Sequence, residues 1–187
     1  MQPWSQPLLW KGFVATGPTT IFTSVMTTNT FINSNGNVRL VIPPVYLAAS
    51  GAQVRITFTC PTASGAYPIE HCYIGHAAIS GNAWDFNGTQ VPMTFASGNL
   101  GATLPLSGSP VVSDWITYAL DHTKTFTIAT HGNFSSGDTI RTSGGVSPGG
   151  TTMFYYTHTA SDETSVSTPT GYSGSAGVSM VSKIEVQ

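Results

Sequence analysis

Aromatic side chains beside amides and carboxylates are the residues best suited to chemistry in this chain, and they suit the binding of a neutral sugar. Trp84, Asp85 and Asn87 lie in one short segment, and Tyr155 and Tyr156 lie together farther along. A flat ring can cover the apolar face of a sugar while oxygen atoms accept hydrogen bonds from its hydroxyls. These five residues form the candidate glycan-binding set. The alternative is that Trp84 and Tyr155 are core residues at strand ends.

The same segment and the histidines offer metal ligands. Asp85 with the amide oxygens of Asn82 and Asn87 has the hard ligands that calcium prefers, although a plain turn is the favoured interpretation. Two of the five histidines, His71 and His76, are five positions apart on one predicted strand and so point to opposite faces. The others stand alone, and no zinc spacing occurs. We therefore expect neither a metal site nor a cofactor.

Catalytic motifs are weak in this sequence. Residues 145–149 match the pattern G-x-S-x-G around Ser147, but Gly and Pro surround the serine, and the true motif requires a strand before it and a helix after it. The eight carboxylates are scattered, and Asp114 is expected only to hydrogen-bond a loop. We therefore expect a protein that is not an enzyme; a weak esterase or glycosidase is the least favoured hypothesis.

Charge is scarce: 7% of the residues are Asp, Glu, Lys or Arg, against roughly 25% in a typical soluble domain. Such a surface suits packing against other copies or neutral polymers. The six Lys and Arg residues form no basic stripe, which argues against nucleic-acid binding. No apolar run is long enough for a membrane helix. The N-terminus does not resemble a signal peptide, so we expect synthesis without export, or replacement of a leader.

The fold class follows from short, punctuated strand patterns. Residues 53–59 alternate, with Val54, Ile56 and Phe58 on one face, and clusters of Gly, Pro and Asn separate the strand-like runs. This pattern predicts an all-β, jelly-roll-like β-sandwich spanning residues 25–187 as one domain. The final strand is expected to tie the C-terminus into a sheet. Residues 142–151 and 160–177 are the expected mobile or ligand-facing loops.

Residues 1–24 differ from the rest of the chain. Bulky apolar side chains alternate with Pro and Gly, a pattern typical of an extended arm with anchoring residues; the alternative is a hairpin or edge strand packed on the same domain. Exposed side chains of this kind mark contacts with other chains. The predicted anchors are Trp4, Leu8, Leu9, Trp10 and Phe13.

The two cysteines, Cys60 and Cys72, leave two interpretations open. Buried free thiols are favoured, as in most cytosolic proteins, and a disulfide between neighbouring strands is the alternative.

Two pairs of segments carry a resemblance to a known family. Residues 38–42 (VRLVI) with 73–78 (YIGHAA), and 110–116 (PVVSDWI) followed by 126–128 (FTI), resemble the β-sandwich accessory domain of secreted GDSL-type (SGNH) esterases. The similarity covers roughly residues 36–186. Similar small β-domains occur in tailed-phage virion proteins and gene-transfer-agent particles. The chain has no Gly-Asp-Ser block and no downstream Asp-x-x-His, so the resemblance implies adhesion or display and not esterase activity.

Together these patterns predict a phage virion structural protein, as a capsid decoration, head fibre or tail component. Its arm would bind other virion proteins, it would form a homo-oligomer, and one face would bind cell-surface polysaccharide. We expect neither nucleic acid nor membrane as a partner. The virion would be assembled in the host cytoplasm. The alternative is a stand-alone extracellular carbohydrate-binding module.

Overall fold

The computed structural model describes residues 17–26, 28–31, 36–59, 67–105, 108–132, 139–142 and 152–187. Within these ranges the secondary structure is fifteen strands and one short 3-10 turn, Pro44–Tyr46, and no helix that could span a membrane is present. The strands are β1 (Thr19–Thr23), β2 (Thr28–Phe31), β3 (Gly36–Ile42), β4 (Gly51–Phe58), β5 (Tyr67–Ile69), β6 (His71–His76), β7 (Val91–Pro92), β8 (Ala102–Leu104), β9 (Val111–Val112), β10 (Ile116–Leu120), β11 (Phe126–Gly132), β12 (Thr139–Thr142), β13 (Thr152–Thr157), β14 (Ser173–Ala176) and β15 (Val181–Val186).

Two antiparallel sheets form a sandwich. The five-stranded sheet has the order β1-β15-β4-β10, with β9 also pairing with β4, and the six-stranded sheet has the order β14-β13-β3-β11-β6-β7. The strands β2 and β12 form one small ribbon, and β5 and β8 form another. The prediction of an all-β sandwich is confirmed.

The core lies between the inner faces of the two sheets. Val54, Ile56 and Phe58 of β4 are fully buried, as their alternation predicts, and they belong to one apolar cluster with Leu40 of β3 and Ile74 of β6. Because side chains alternate along a strand, Arg39 of β3 must lie on the outer face of the six-stranded sheet.

The N-terminal boundary of the sandwich differs from the prediction. Thr19–Thr23, placed in the arm by the sequence, form the edge strand of the five-stranded sheet and pair with β15. Ile21 and Phe22 are buried in the core, and this apolar burial holds the stretch on the domain. Thr19–Thr23 therefore correspond to the alternative interpretation, an edge strand packed on the same domain. The five anchor residues lie outside the described residues. The C-terminal strand β15 lies between β1 and β4, as expected.

Asp114 lies between β9 and β10. Its carboxylate accepts hydrogen bonds from the backbone N–H groups of Ser97 and Gly98, each at 2.9 Å, and from the Thr94 hydroxyl at 2.8 Å. The Ser97 and Thr94 hydrogen bonds lower the pKa of Asp114. They also hold a turn in which Ala96 and Ser97 adopt positive φ angles of 45° and 68°. The expectation that Asp114 hydrogen-bonds a loop is confirmed.

Cys72 is a buried free thiol whose Sγ lies 3.8 Å from the Met93 sulfur. Burial raises the pKa of this thiol well above its ordinary value, which keeps it protonated and unreactive. The favoured interpretation is therefore confirmed for Cys72, whereas Cys60 lies outside the described residues.

His76 ends β6 on the inner face, and its ring is held at both nitrogens. Nε2 accepts the backbone N–H of Asp121 at 3.1 Å, and Nδ1 lies 2.7 Å from the Tyr118 hydroxyl. Because Nε2 accepts a hydrogen bond, the imidazole is neutral. Burial lowers its pKa first, and the charge of Lys124 lowers it further. His71 lies on the other face of the same strand, as predicted.

Replacing His76 by Gln should reduce the acid sensitivity of the fold. The lowered pKa in the folded state means that the unfolded chain binds the extra proton, so stability is complete above the unfolded pKa of about 6.5 and is lost as the pH falls below it. The loss has a limiting slope of about 1.4 kcal/mol per pH unit for one proton. We expect the free energy of unfolding, measured with urea between pH 7 and 5, to fall less steeply with decreasing pH for His76→Gln than for the wild type.

Replacing the exposed His158 by Gln is the matched control and should leave the pH dependence of the unfolding free energy unchanged. An equal pH dependence for His76→Gln and the wild type would contradict the role given to His76.

Candidate functional site

The centre of the outer face of the six-stranded sheet is buried, although sandwich sheets commonly turn this face to water. All seven residues of β3 are buried, and so are all seven of β11. Two segments cover the face: residues 82–90, here called the tryptophan loop, and residues 159–172, here called the covering loop. The expected ligand-facing stretch 160–177 therefore consists largely of a segment packed against the sheet.

Arg39 is the residue on which both loops converge. It pairs with Ala129 on one side and with Tyr155 on the other, and its relative exposure is 0%. The small Ala129 side chain leaves space beside the guanidinium. A charged side chain so completely buried requires several partners.

The partners of Arg39 are backbone carbonyl oxygens. One terminal nitrogen donates to the carbonyls of Glu163 at 2.8 Å and Val166 at 2.7 Å, and the other donates to the carbonyl of Trp84 at 3.3 Å. Burial lowers the pKa of Arg39, opposed by its interactions with Tyr172, Asp85 and Glu163. The guanidinium thus satisfies carbonyls from both loops at once, which no apolar or short polar side chain could do.

Aromatic rings enclose the Arg39 guanidinium. Its central carbon lies 4.3 Å from the Phe86 ring centre and 6.0 Å from that of Tyr172, which are cation–π distances. Phe86 rests over Gly75 of β6. A Cβ atom at Gly75 would lie 2.9 Å from Phe86 Cδ1 and 3.0 Å from Gln90 Cα, so this close approach of the tryptophan loop requires glycine.

Trp84, Tyr155 and Tyr172 form what we call the aromatic cluster. The Trp84 ring centre lies 5.1 Å from that of Tyr155 and 5.8 Å from that of Tyr172, and it stacks on Tyr172 at 24°. Its indole N–H donates to the Pro169 carbonyl at 3.1 Å, so the ring orientation is fixed. Trp84 and Tyr155 are half-buried, so part of each ring faces solvent, whereas Tyr172 is buried.

The structure divides the predicted glycan-binding set. It brings Trp84 and Tyr155 together, but Tyr156 lies on the opposite face of β13, where it stacks with Phe154 at 5.5 Å against the core. The physical reason is the two-residue period of a strand, which sends consecutive side chains to opposite faces. The aromatic cluster instead gains Tyr172.

Asp85 and Asn87 turn inward and outward, respectively. Asp85 is buried, and its Oδ2 accepts the backbone N–H of Asn82 at 2.9 Å. Asn87 is exposed, and its Oδ1 accepts from the backbone and hydroxyl of Thr89. These contacts stabilise a turn. They do not direct the oxygen atoms of Asp85 and Asn87 to one point, so they do not support the calcium alternative. In the described ranges, no three His, Cys, Asp or Glu residues are arranged to hold a metal ion.

Two histidine–carboxylate pairs lie beside Arg39 on the same face. Asp162 Oδ2 lies 2.8 Å from His71 Nδ1, and Glu70 Oε2 lies 3.0 Å from His131 Nδ1. His71 and His131 are cross-strand neighbours. Burial alone would raise the pKa of Asp162, but the Thr164 hydrogen bonds and the two histidines outweigh it and lower the pKa.

Asn37 adds a further clamp on the covering loop. Its amide nitrogen donates to the Ser161 carbonyl at 2.8 Å, and its Oδ1 accepts the Glu163 N–H at 2.8 Å. The tryptophan loop is tied to the covering loop directly, because the Phe86 N–H donates to the Ser167 carbonyl at 2.8 Å. The two loops and the sheet are therefore one hydrogen-bonded unit.

Comparison with known proteins assigns no relative to this chain. No protein-family model matches the sequence. No curated protein matches it either.

Ser147 lies outside the described residues, as do the five anchors.

Arg39→Met should destabilise the fold strongly. The substitution keeps much of the aliphatic volume but leaves three carbonyls without their donor, at about 1–3 kcal/mol for each group left unsatisfied. We expect a loss of about 3 kcal/mol or more in the free energy of unfolding, together with a weaker near-ultraviolet circular dichroism signal from the aromatic cluster.

Arg55 provides the matched control. It is also a strand arginine, but it is partly exposed and pairs with Glu185 at 3.0 Å. Arg55→Met should cost clearly less than Arg39→Met, because Lys183 still pairs with Glu185 at 3.1 Å. If Arg39→Met cost no more than Arg55→Met, the guanidinium would not hold the loops.

Proposed function

We propose that this protein is a non-enzymatic structural component of a phage-type virion. In this proposal the sandwich presents a glycan-binding face at Trp84 and Tyr155, and the chain attaches to the particle through its N-terminal segment. The single observation that carries the binding face is the fixed pairing of two half-exposed rings, whose centres lie 5.1 Å apart.

The rigidity of the aromatic cluster supports glycan binding. A ring that is already ordered loses little conformational entropy when a ligand covers it. Trp84 is held by the Pro169 carbonyl and by Tyr172, and its loop is held by Arg39. Arg39 and Asp85 are buried, and the Glu163 carboxylate, which interacts with Tyr172, has one buried oxygen. The exposed part of the face therefore suits a neutral saccharide.

The engagement of four of the eight carboxylates supports a non-enzymatic role. Asp114 holds a turn, Asp162 contacts His71, and Glu185 pairs with Arg55 and Lys183. Hydrogen bonds from Thr123 lower the pKa of Asp121 to about 2. A glycosidase acid requires a raised pKa so that it stays protonated. For Asp114, Asp121, Asp162 and Glu185, the pKa is instead lowered.

The assignment to a virion is supported by the sequence. The chain resembles the accessory β-domain of GDSL-type esterases, and similar domains occur in virion proteins. In addition, 7% of its residues are charged, and five bulky apolar residues precede β1. A stand-alone extracellular carbohydrate-binding module is the second candidate, favoured by the same aromatic cluster. The two candidates differ in where the protein is found.

Immunogold electron microscopy of particles released by the source cells should show regular labelling of heads or tails. Antibody to an unrelated cytoplasmic protein of the same cells is the control. Unlabelled particles with soluble protein in the supernatant would contradict the virion proposal and favour the free module.

A glycan array should show binding of the full chain to neutral saccharides. Replacing Trp84 or Tyr155 by Ala should weaken that binding about tenfold or more, equivalent to about 1.4 kcal/mol, because stacking area is lost. Trp115→Ala is the matched control, since this half-buried indole contacts Arg55 at 4.5 Å in the other sheet.

Thermal unfolding of each variant separates lost binding from lost folding. Tyr155→Ala is the safer of the two variants, because Trp84 has more internal contacts. An array with no neutral-saccharide binding, or equal loss with Trp115→Ala, would contradict the binding face.

A further inference from the structure

One end of the sandwich gathers several loops and the start of the first strand. Phe126 pairs with Ile42 on one side and with His76 on the other, so β3 and β6 reach the same end. Thr19 pairs with Val186 at the end where β4 begins, and the connection from β3 to β4 carries the 3-10 turn. The N-terminal segment therefore leaves the domain at this end, here called the turn end.

Two cavities flank the 3-10 turn. A cavity of about 290 Å³ is lined by 20–23 of β1 and by Tyr46. A second, of about 450 Å³, is lined by Pro44, Ala77, Ala78, Ile79, Asn87 and 123–125. Each is large enough for one bulky side chain.

The 3-10 turn and the lining of the second cavity carry exposed apolar side chains. Val45 is 79% exposed and Ile79 is completely exposed, which is costly for branched aliphatic side chains. The nearby Lys124 is paired with Asp121 at 3.2 Å. The strand β1 carries no charged residue and stands at the edge of its sheet, so neither charge nor proline blocks contact there. These features are those of a contact surface for an apolar segment.

The chain itself contains such a segment. Residues 1–16 carry two Trp, two Leu and one Phe, with Lys11 as the only charged side chain. An extended segment of this length reaches up to about 55 Å. It is joined through Gly17 and Pro18 to β1, which lines the smaller cavity. The segment therefore joins the domain at the turn end, where this surface lies.

We propose that residues 1–16 bind the turn end of a second copy of this chain, and that the two copies exchange these segments reciprocally. The N-terminal segment and the surface that receives it belong to the same end of the domain. Two copies related by a two-fold axis, with their turn ends facing each other, can therefore exchange both segments at once. This inference goes beyond the proposed function, because the partner of the segment is a second copy of the chain and not the particle. The large apolar side chains occupy the two cavities and cover Val45 and Ile79.

Light scattering after size exclusion tests the proposal on the purified full chain without particles. We expect the wild type to run with the mass of two chains. The full-chain variants Trp4→Ser/Trp10→Ser and Val45→Asp/Ile79→Asp should each run as one chain. Leu100→Asp, which places the same charge at another exposed apolar residue, should remain a dimer.

Mixing the two monomeric variants separates exchange between copies from docking within one copy. The intact segment of Val45→Asp/Ile79→Asp can bind the intact surface of Trp4→Ser/Trp10→Ser, so the mixture should recover a mixed dimer. A monomeric wild type, a dimer that survives either double variant, or a mixture that stays monomeric would overturn the proposal.

The outcome is independent of the particle experiment. A monomeric wild type on labelled particles would refute the exchange and leave the virion proposal standing. A dimer that depends on residues 1–16, together with unlabelled particles, would support the exchange and contradict the virion proposal.

Discussion

A buried positive charge with no carboxylate directly on it is the constraint around which this structure is organised. Arg39 lies at the centre of β3, within the apolar run 38–42, and cannot reach water, so its N–H groups need oxygen atoms nearby. The carbonyls of Trp84, Glu163 and Val166 accept from its two terminal nitrogens. Two loops far apart in sequence are thereby brought to one sheet face. Asn37 and the two histidine–carboxylate pairs add contacts around this centre.

The exposed consequence of this constraint is a rigid aromatic surface. Trp84 belongs to a loop that Arg39 holds, and Tyr172 ends the other loop, so their stacking depends on both loops being in place. Tyr155 is supplied by the neighbouring strand in register with Arg39. A scarcely charged protein can offer a partner few ion pairs, and both proposed surfaces, the aromatic cluster and the turn end, present apolar side chains instead.

The sequence predicted the sandwich because alternation over Val54, Ile56 and Phe58 is a local signal. The sequence analysis grouped Trp84 with Tyr155 on the chemistry of their rings, but it also included Tyr156. Tyr155 and Tyr156 are adjacent in sequence, and neighbouring side chains of a strand point in opposite directions. Arg39 was missed as a site residue, although an arginine within the apolar run 38–42 is a visible signal. Its partners were not predictable, since backbone carbonyls carry no residue identity and the contacts span up to 127 positions.

Hydrogen–deuterium exchange on the wild type and Arg39→Lys tests the central claim most directly. Lysine keeps the charge but cannot reach carbonyls from both loops with a planar fork. The account predicts that amides of 82–90 and 161–170 exchange faster in the variant, while those of β4 and β15, in the other sheet, remain protected. Unchanged exchange in both loops, or an equal loss of protection throughout the sandwich, would show that Arg39 does not organise this face.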